Sequence, residues 1–217
     1  MRGNEQELPA LDRVDSGVVP ELRPATPADL ADVTTICILT GDDGADATEQ
    51  YDDPHLLAHL WAAPNLIADP ALCTIVVDEG GGAGYLVATA DTVAFERWCE
   101  RMWKPVLRDR HPLQATRRDR DQGLVALIHA PEATPASTTD LYPAHLHINL
   151  LPRLQGRGLC RGLIERLVGP LRERGVAGVH LEVSGTNTPA IGSYEHPGFA
   201  PVAVEPDGGL IMGLALT

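Results

Sequence analysis

From residue 144 onward the chain changes period sharply enough to be read element by element. Ala144 to Leu151 sets apolar Leu146, Ile148 and Leu150 against polar His145, His147 and Asn149, the alternation of a strand with two different faces. Gly158 to Arg174 then places Leu159, Leu163, Leu167 and Leu171 on one stripe, which is helical spacing. Gly178 to Val183 predicts a further strand, Pro189 to His196 a short helix, and Pro201 to Leu216 two strands around an Asp207-Gly208-Gly209 turn.

The first half reads less evenly. Leu22 to Ala25 predicts a short strand, and Thr26-Pro27 the start of a helix running to about Leu39, with Thr26 as cap and Pro27 at the first helical position. Gly41 to Asp53 is an acidic loop, and Pro54 opens a short helix through Trp61. Leu72 to Val77 and Gly84 to Ala90 form a hairpin about the glycine-rich stretch Glu79 to Ala83. Phe95 to Arg110 places Phe95, Trp98, Met102 and Leu107 at helical spacing, a stripe expected in the core, with a kink at Pro105. Residues 111 to 140 show only weak signals and include a loop from Pro131 to Asp140. Residues 1 to 20 are expected to be a flexible tail and residues 21 to 217 one α/β domain without internal repeats.

Charge sharpens this picture when it is followed along the chain. The formal charge is −13, which argues against nucleic acid or an anionic membrane as the main partner. Residues 1 to 60 hold thirteen acids and three bases, whereas residues 153 to 174 hold six bases and two acids. A second basic run, residues 95 to 121, fits a solvated helix face. No stretch approaches the roughly 18 apolar residues of a membrane span, and MRGNEQELPA lacks the apolar run of a signal peptide, so a cytoplasmic location is expected. Cys37, Cys73, Cys99 and Cys160 are scattered without ligand or disulfide spacing, so neither a metal site nor a disulfide framework is expected.

The most specific chemistry lies between the strand at 144–151 and the following helix, in Leu150-Leu151-Pro152-Arg153-Leu154-Gln155-Gly156-Arg157-Gly158-Leu159-Cys160. Glycines there let backbone amides face outward and a ligand approach without a Cβ in the way. A helix starting at that point adds unpaired N–H groups and partial positive charge, which suits a phosphate or pyrophosphate, and Arg153, Arg157 and Arg161 add formal charge. The spacing from Gly156 and Gly158 to Gly162 is one residue too long for a dinucleotide fingerprint, and no Gly-Lys-Ser/Thr follows as a P-loop requires. A purely structural turn stays open as the alternative.

Gln155-x-x-Gly158-x-Cys160 resembles the Arg/Gln-x-x-Gly-x-Gly/Ala signature of the GCN5-related N-acetyltransferases (GNAT), with Cys160 standing where the family has Gly or Ala. Asn187-x-x-Ala190-x-x-x-Tyr194-x-x-x-Gly198-Phe199 looks like the same family's asparagine, helix tyrosine and Gly-Phe turn. Gly41-Asp42-Asp43-Gly44-Ala45-Asp46-Ala47-Thr48, the Gly84-Tyr85 strand and the Phe95 to Trp103 helix resemble the acetyltransferase-like C-terminal domain of O-GlcNAcase and its stand-alone bacterial relatives. The animal members of that group lack a usable coenzyme loop, whereas this chain retains one.

The resemblance implies a GNAT fold, with a mixed, mostly antiparallel central sheet and helices on both faces, and acetyl-CoA as coenzyme. It implies that Gln155, Gly156, Arg157, Gly158, Cys160 and Arg161 hold the pyrophosphate, that Leu150 and Leu151 pair their backbone with the pantetheine and polarise the thioester, and that Asn187 contacts the pantetheine arm. Tyr194 matches the general acid. Candidates for removing the amine proton are Glu182, His147 and Asp43 or Asp42, while Asn149 can orient a water but cannot act as a base. The expected activity is acetyl transfer to a small-molecule or peptide amine, cationic in view of the acidic loop. The alternative is a pseudo-acetyltransferase or peptide-binding module that holds acetyl-CoA without turnover.

Overall fold

A computed structural model of the chain describes residues 19–115 and 117–216. Apart from Val19 and Pro20, the expected N-terminal tail lies outside the described residues. Seven strands form one sheet in the order β1-β2-β3-β4-β5-β7-β6. They are β1 (Glu21–Pro24), β2 (Thr74–Asp78), β3 (Gly81–Thr89), β4 (Ala144–Leu150), β5 (Gly178–Val183), β6 (Ala200–Val204) and β7 (Leu210–Ala215). All neighbours are antiparallel except β4 and β5, which run parallel. The sheet is therefore mixed and mostly antiparallel, as the motifs implied.

Helices cover both faces because β4 presents a different surface to each. Its odd-numbered side chains meet α1 (Leu30–Leu39), α2 (Leu56–Trp61) and α3 (Ala63–Ala68): Asn149 bonds Thr40 at the end of α1, His147 lies against Trp61, and His145 bonds Asn65. On the other face Leu146, Val179 and Leu181 are closed over by α8 (Leu159–Glu173), which buries Leu163, Ile164, Leu167 and Leu171. At about 25 cal/mol per Å² these three leucines and one isoleucine each add roughly 2 kcal/mol of burial, enough to fix which face of α8 is inside.

Two expectations of the first half are corrected. The stripe Phe95, Trp98, Met102, Leu107 does not form one buried face: Met102 is 65% exposed, and Cys99 is buried instead. After α4 (Thr92–Trp98) the chain makes a π-helical turn over Cys99–Trp103 before α5 (Lys104–Arg110). A wider turn advances the phase by about one residue, and it precedes Pro105, whose ring and missing N–H disfavour a regular ladder. Residues 111 to 140, weak in the sequence, contain α6 (Asp119–His129) and a single turn, α7 (Ala136–Thr139). Asp121 anchors α6: fully buried, it accepts the backbone N–H groups of Asp52 and Asp53 at 2.9 and 3.1 Å. The acidic loop is thus pinned from a helix nearly 70 residues away.

The entry into α1 rests on Asp29. Its carboxylate accepts from the Thr26 N–H at 2.8 Å and pairs with Arg23 at 2.5 Å, and that pairing holds its pKa down to about 2. A depressed carboxylate stabilises the fold fully above its unfolded value near 4 and loses that contribution as pH falls through about 2. Asp29→Ala is expected to cost about 1–2 kcal/mol at neutral pH. Thermal melts of the two proteins should converge as pH approaches about 2; a gap of the same size at pH 7 and pH 2 would contradict the assignment.

Candidate functional site

The cleft exists because the parallel ladder stops early. β4 and β5 pair only at Ala144↔Val179 and His145↔His180. Beyond that point β4 stays bonded to β3 as far as Leu150, β5 stays bonded to β7 as far as Val183, and the two diverge. The space between and around them is a cleft of about 1050 Å³. Backbone alternation decides which groups face it. Leu151 donates its N–H to Ala83 of β3 at 2.9 Å, so Leu151 is committed to the sheet and its N–H is not available to a ligand, a correction to the sequence reading. Ile148 and Leu150 then turn their N–H and C=O groups toward β5.

The glycine-rich turn forms one end. Gly156 and Gly158 have φ of +71° and +75°, a conformation that a side chain strains, and Gly158 leads directly into α8. Leu159, Cys160 and Arg161, whose N–H groups at the start of α8 have no partner within the helix, line the cleft. Arg157 and Arg161 line it, Arg161 paired with Glu165 at 2.7 Å. Arg153 does not belong to the site: its guanidinium pairs with Asp78 at 2.6 Å on the β2–β3 side.

The acidic loop forms a strap across the open ends of the two strands. Asp42 and Ala45 exchange backbone hydrogen bonds at 3.1 and 2.8 Å around Asp43 (φ +50°) and Gly44 (φ +93°), a two-residue turn with both central residues left-handed. Asp-Gly suits that turn because Gly carries no Cβ and Asp tolerates the conformation better than most residues. On the β4 side Gln155 Nε2 donates to Gly44 O and Leu150 O, both at 2.9 Å. On the β5 side Ser184 Oγ donates to the Asp43 carboxylate at 3.5 Å and Asn187 Nδ2 donates to Asp43 O at 3.4 Å. Asn187 Oδ1 meanwhile caps α9 (Thr188–Glu195) through the Ala190 N–H at 3.1 Å.

The titratable candidates separate by environment. Glu182 stands exposed on the cleft floor, yet protein crowding and then Glu205, Asp207 and Glu96 raise its pKa to about 7. His147 also lines the cleft, but burial and His180 lower it to about 4, so it is neutral and weakly basic. His145 is occupied. Thr92 Oγ1 gives its proton to Pro143 O at 2.8 Å and so accepts from His145 Nδ1–H at 2.9 Å, which leaves Nε2 to accept from Asn65 Nδ2 at 3.0 Å. Tyr194 lines the cleft but is largely buried, and burial and then the Cys160 thiol push its phenol well above the ordinary value near 10. Burial pushes the Cys160 thiol itself up to about 11. Among the described residues no group of acidic, histidine and cysteine side chains could hold a metal ion, and no helix is long and apolar enough to cross a membrane.

The structure thus brings Asp43, His147, Leu150, Gln155, Gly156, Arg157, Gly158, Cys160, Arg161, Glu182, Asn187 and Tyr194 into one cleft. It also adds residues that the sequence did not single out. Thr40 and Cys37 come from the end of α1, Leu57 and Trp61 from α2, and Ser184 follows β5. Trp61, 38% exposed and packed 6.2 Å from the His147 ring, carried a usable signal as a large aromatic left at a helix end. Thr40 carried none.

A family model described as "Acetyltransferase (GNAT) family" matches residues 45–199. The crystal structure of SsHAT superposes with a TM-score of 0.83 at 39% identity, covering 91% of this chain and 98% of that one. A Beutenbergia cavernae mycothiol acetyltransferase is 44% identical over 75 residues, 35% of this chain and 24% of its own length. Protein O-GlcNAcase of Rattus norvegicus is 22% identical over 165 residues, 75% of this chain and 18% of its own length. The matched segments therefore span less than a quarter of either of these longer relatives. A phosphinothricin acetyltransferase from Sinorhizobium meliloti, solved in complex with AcCoA, shares the fold with a TM-score of 0.54 at 15% identity, covering 91% of this chain and 89% of that one.

Proposed function

The chain belongs to the acetyltransferase (GNAT) family, and from that premise we propose that residues 21 to 217 act as one domain that moves an acetyl group from acetyl-CoA to a cationic amine. The observation that carries this reading is the polarity of a single cleft. Arg157, Arg161 and the amides at the start of α8 lie at one end, and Glu182 and Asp43 line the same cavity. An anionic coenzyme fits the first and an ammonium the second. The backbone amides of Gly156 to Arg161 hold the pyrophosphate, and Ile148 and Leu150, in place of Leu151, pair with the pantetheine and polarise the thioester carbonyl. Asn187 reaches the pantetheine arm once the coenzyme has displaced its contact with Asp43. Bound in this way, acetyl-CoA supplies an activated acetyl thioester.

The chain's own residues then have two proton tasks. An amine of pKa about 10.4 is neutral at pH 7 only at a cost of roughly 4.6 kcal/mol, so a group in the site must take its proton. Glu182, with a pKa near 7, is half ionised at neutral pH and outcompetes His147, which is held near 4. Tyr194 stays protonated at any working pH and gives its phenolic proton to the departing thiolate as the C–N bond forms and the C–S bond breaks. Of the two protons that the ammonium gives up, one leaves through Glu182 and the other returns Tyr194 to its starting state.

Two measurements test this. Gly158→Trp places a bulky side chain at a left-handed position beside the α8 N-terminus. It is expected to abolish acetyl-CoA binding in calorimetry, and unchanged affinity would remove the coenzyme from this turn. Raised to about 7, Glu182 becomes a base only as pH climbs through that value, so kcat/KM for the amine should rise with an acidic limb near pH 7. Glu182→Gln is expected to lower kcat about 100-fold or more and to erase that limb. Thiol release should be followed across spermidine, an aminoglycoside and lysine- and alanine-ended peptides. Coenzyme binding without release above hydrolysis would favour the binding-module alternative.

A further inference from the structure

We propose that the side-chain carbonyl of Asn149 is a fixed hydrogen-bond acceptor that aligns the incoming amine, and that Thr40 is the positioning residue that sets its orientation. This inference rests on the reading of the cleft as an acetyl-transfer site. Helix α1 ends at Leu39, and the carbonyls of its last turn need donors from outside the regular ladder. The Thr40 hydroxyl supplies one to Ile36 O at 2.7 Å. A hydroxyl has a single proton, and a backbone carbonyl can only accept, so the proton is committed to Ile36. The Asn149 amide lies 2.6 Å from the same oxygen, and only an N–H can sit there. Asn149 therefore turns its NH₂ toward Thr40, which leaves its Oδ1 as the acceptor not used by Thr40.

Asn149 and Thr40 both line the cleft, and among the described residues no hydrogen bond takes Asn149 Oδ1. Along β4 the Asn149 side chain shares a face with His147, which lies against Trp61, while Glu182 lines the same cavity. Its immediate neighbours Ile148 and Leu150 aim their backbone at the edge that faces β5. One residue's side chain thus stands between two residues whose main chain would hold the thioester, on the face from which an amine would approach. An amide oxygen accepts an N–H but removes no proton, so Asn149 orients the nitrogen while Glu182 receives the charge. Because Thr40 is only 4% exposed and its hydroxyl is bonded on both sides, the orientation does not depend on solvent.

The test uses the full chain with spermidine and a lysine-containing tripeptide as amine probes. Variants are Asn149→Ala, Thr40→Val, Thr40→Ser and the double Thr40→Val/Asn149→Ala. Two quantities are read: kcat and KM for each amine by thiol release, and the amine dissociation constant by calorimetry with coenzyme A saturating. Asn149→Ala and Thr40→Val should each lower kcat/KM about tenfold and weaken amine binding, with acetyl-CoA affinity unchanged. Thr40→Ser should restore wild-type values, and the double variant should lose no more than either single one. If Asn149→Ala leaves both amine affinity and kcat/KM within twofold of wild type, the proposal is overturned, whatever Thr40→Val does. A wild type that turns over while Asn149→Ala keeps pace defeats this inference alone. A wild type that neither binds nor acetylates either amine defeats the transferase reading and this inference with it. Amine binding without turnover, weakened by Asn149→Ala, supports the orienting role while removing the enzymatic one.

Discussion

The site depends on an unfinished β-ladder. Two adjacent parallel strands normally satisfy one another along their length, and here they do so for two residue pairs only. Each strand keeps its other neighbour, so the sheet survives the divergence while Ile148 and Leu150 are left with polar groups aimed into a cleft. Backbone groups in that position need a partner, and a ligand with amides of its own is a natural one. Gln155 and the Asp42–Ala45 strap partly take that place, with one side-chain amide serving both Leu150 O and Gly44 O. The strap holds the mouth of the splay in shape without closing the ladder.

Electrostatics follow from the same geometry. A net charge of −13 suggests a uniformly acidic surface, but the fold brings Arg157 and Arg161 into the same cavity as Asp43 and Glu182. Arg153 is drawn off by Asp78. Arg157 and Arg161 instead line the cleft beside the start of α8, and Glu182 gathers the influence of three other carboxylates from α4 and the β6–β7 turn. The raised pKa of Glu182 is a property of that assembly, which no window of sequence contains.

Periodicity made the second half of the fold legible. The strand at Gly178–Val183 and the helix at Leu159–Glu173 fall within a residue of their expected bounds, because each buries one face in a regular repeat. The first half resists where regularity breaks. A π-turn at Cys99–Trp103 shifts the phase that placed Met102 in the core, and α6 is held as much by the buried polar anchor of Asp121 as by its few apolar residues. For the site, the glycine turn, Glu182 and Tyr194 stand out by type and motif. Leu151 could be excluded only by knowing its partner strand, and Thr40 only by bringing together residues 109 apart.

The histidines on β4 and β5 form a layer that is held neutral. His145 has ring centroids 5.6 Å from His147 and 5.9 Å from His180, an arrangement that could pass for a proton relay. The hydrogen bonds forbid it. His145 has its Nδ1 proton on Thr92 and its Nε2 lone pair on an Asn65 N–H, so a second proton would have to face a donor. His180 Nδ1 is spent on Tyr142 O at 2.7 Å. Burial lowers all three rings, His180 further disfavours charge on His145 and His147, and His147 does the same to His145. This layer is a neutral, packed floor, in contrast to Glu182 in the same cleft, whose carboxyl is raised to about 7.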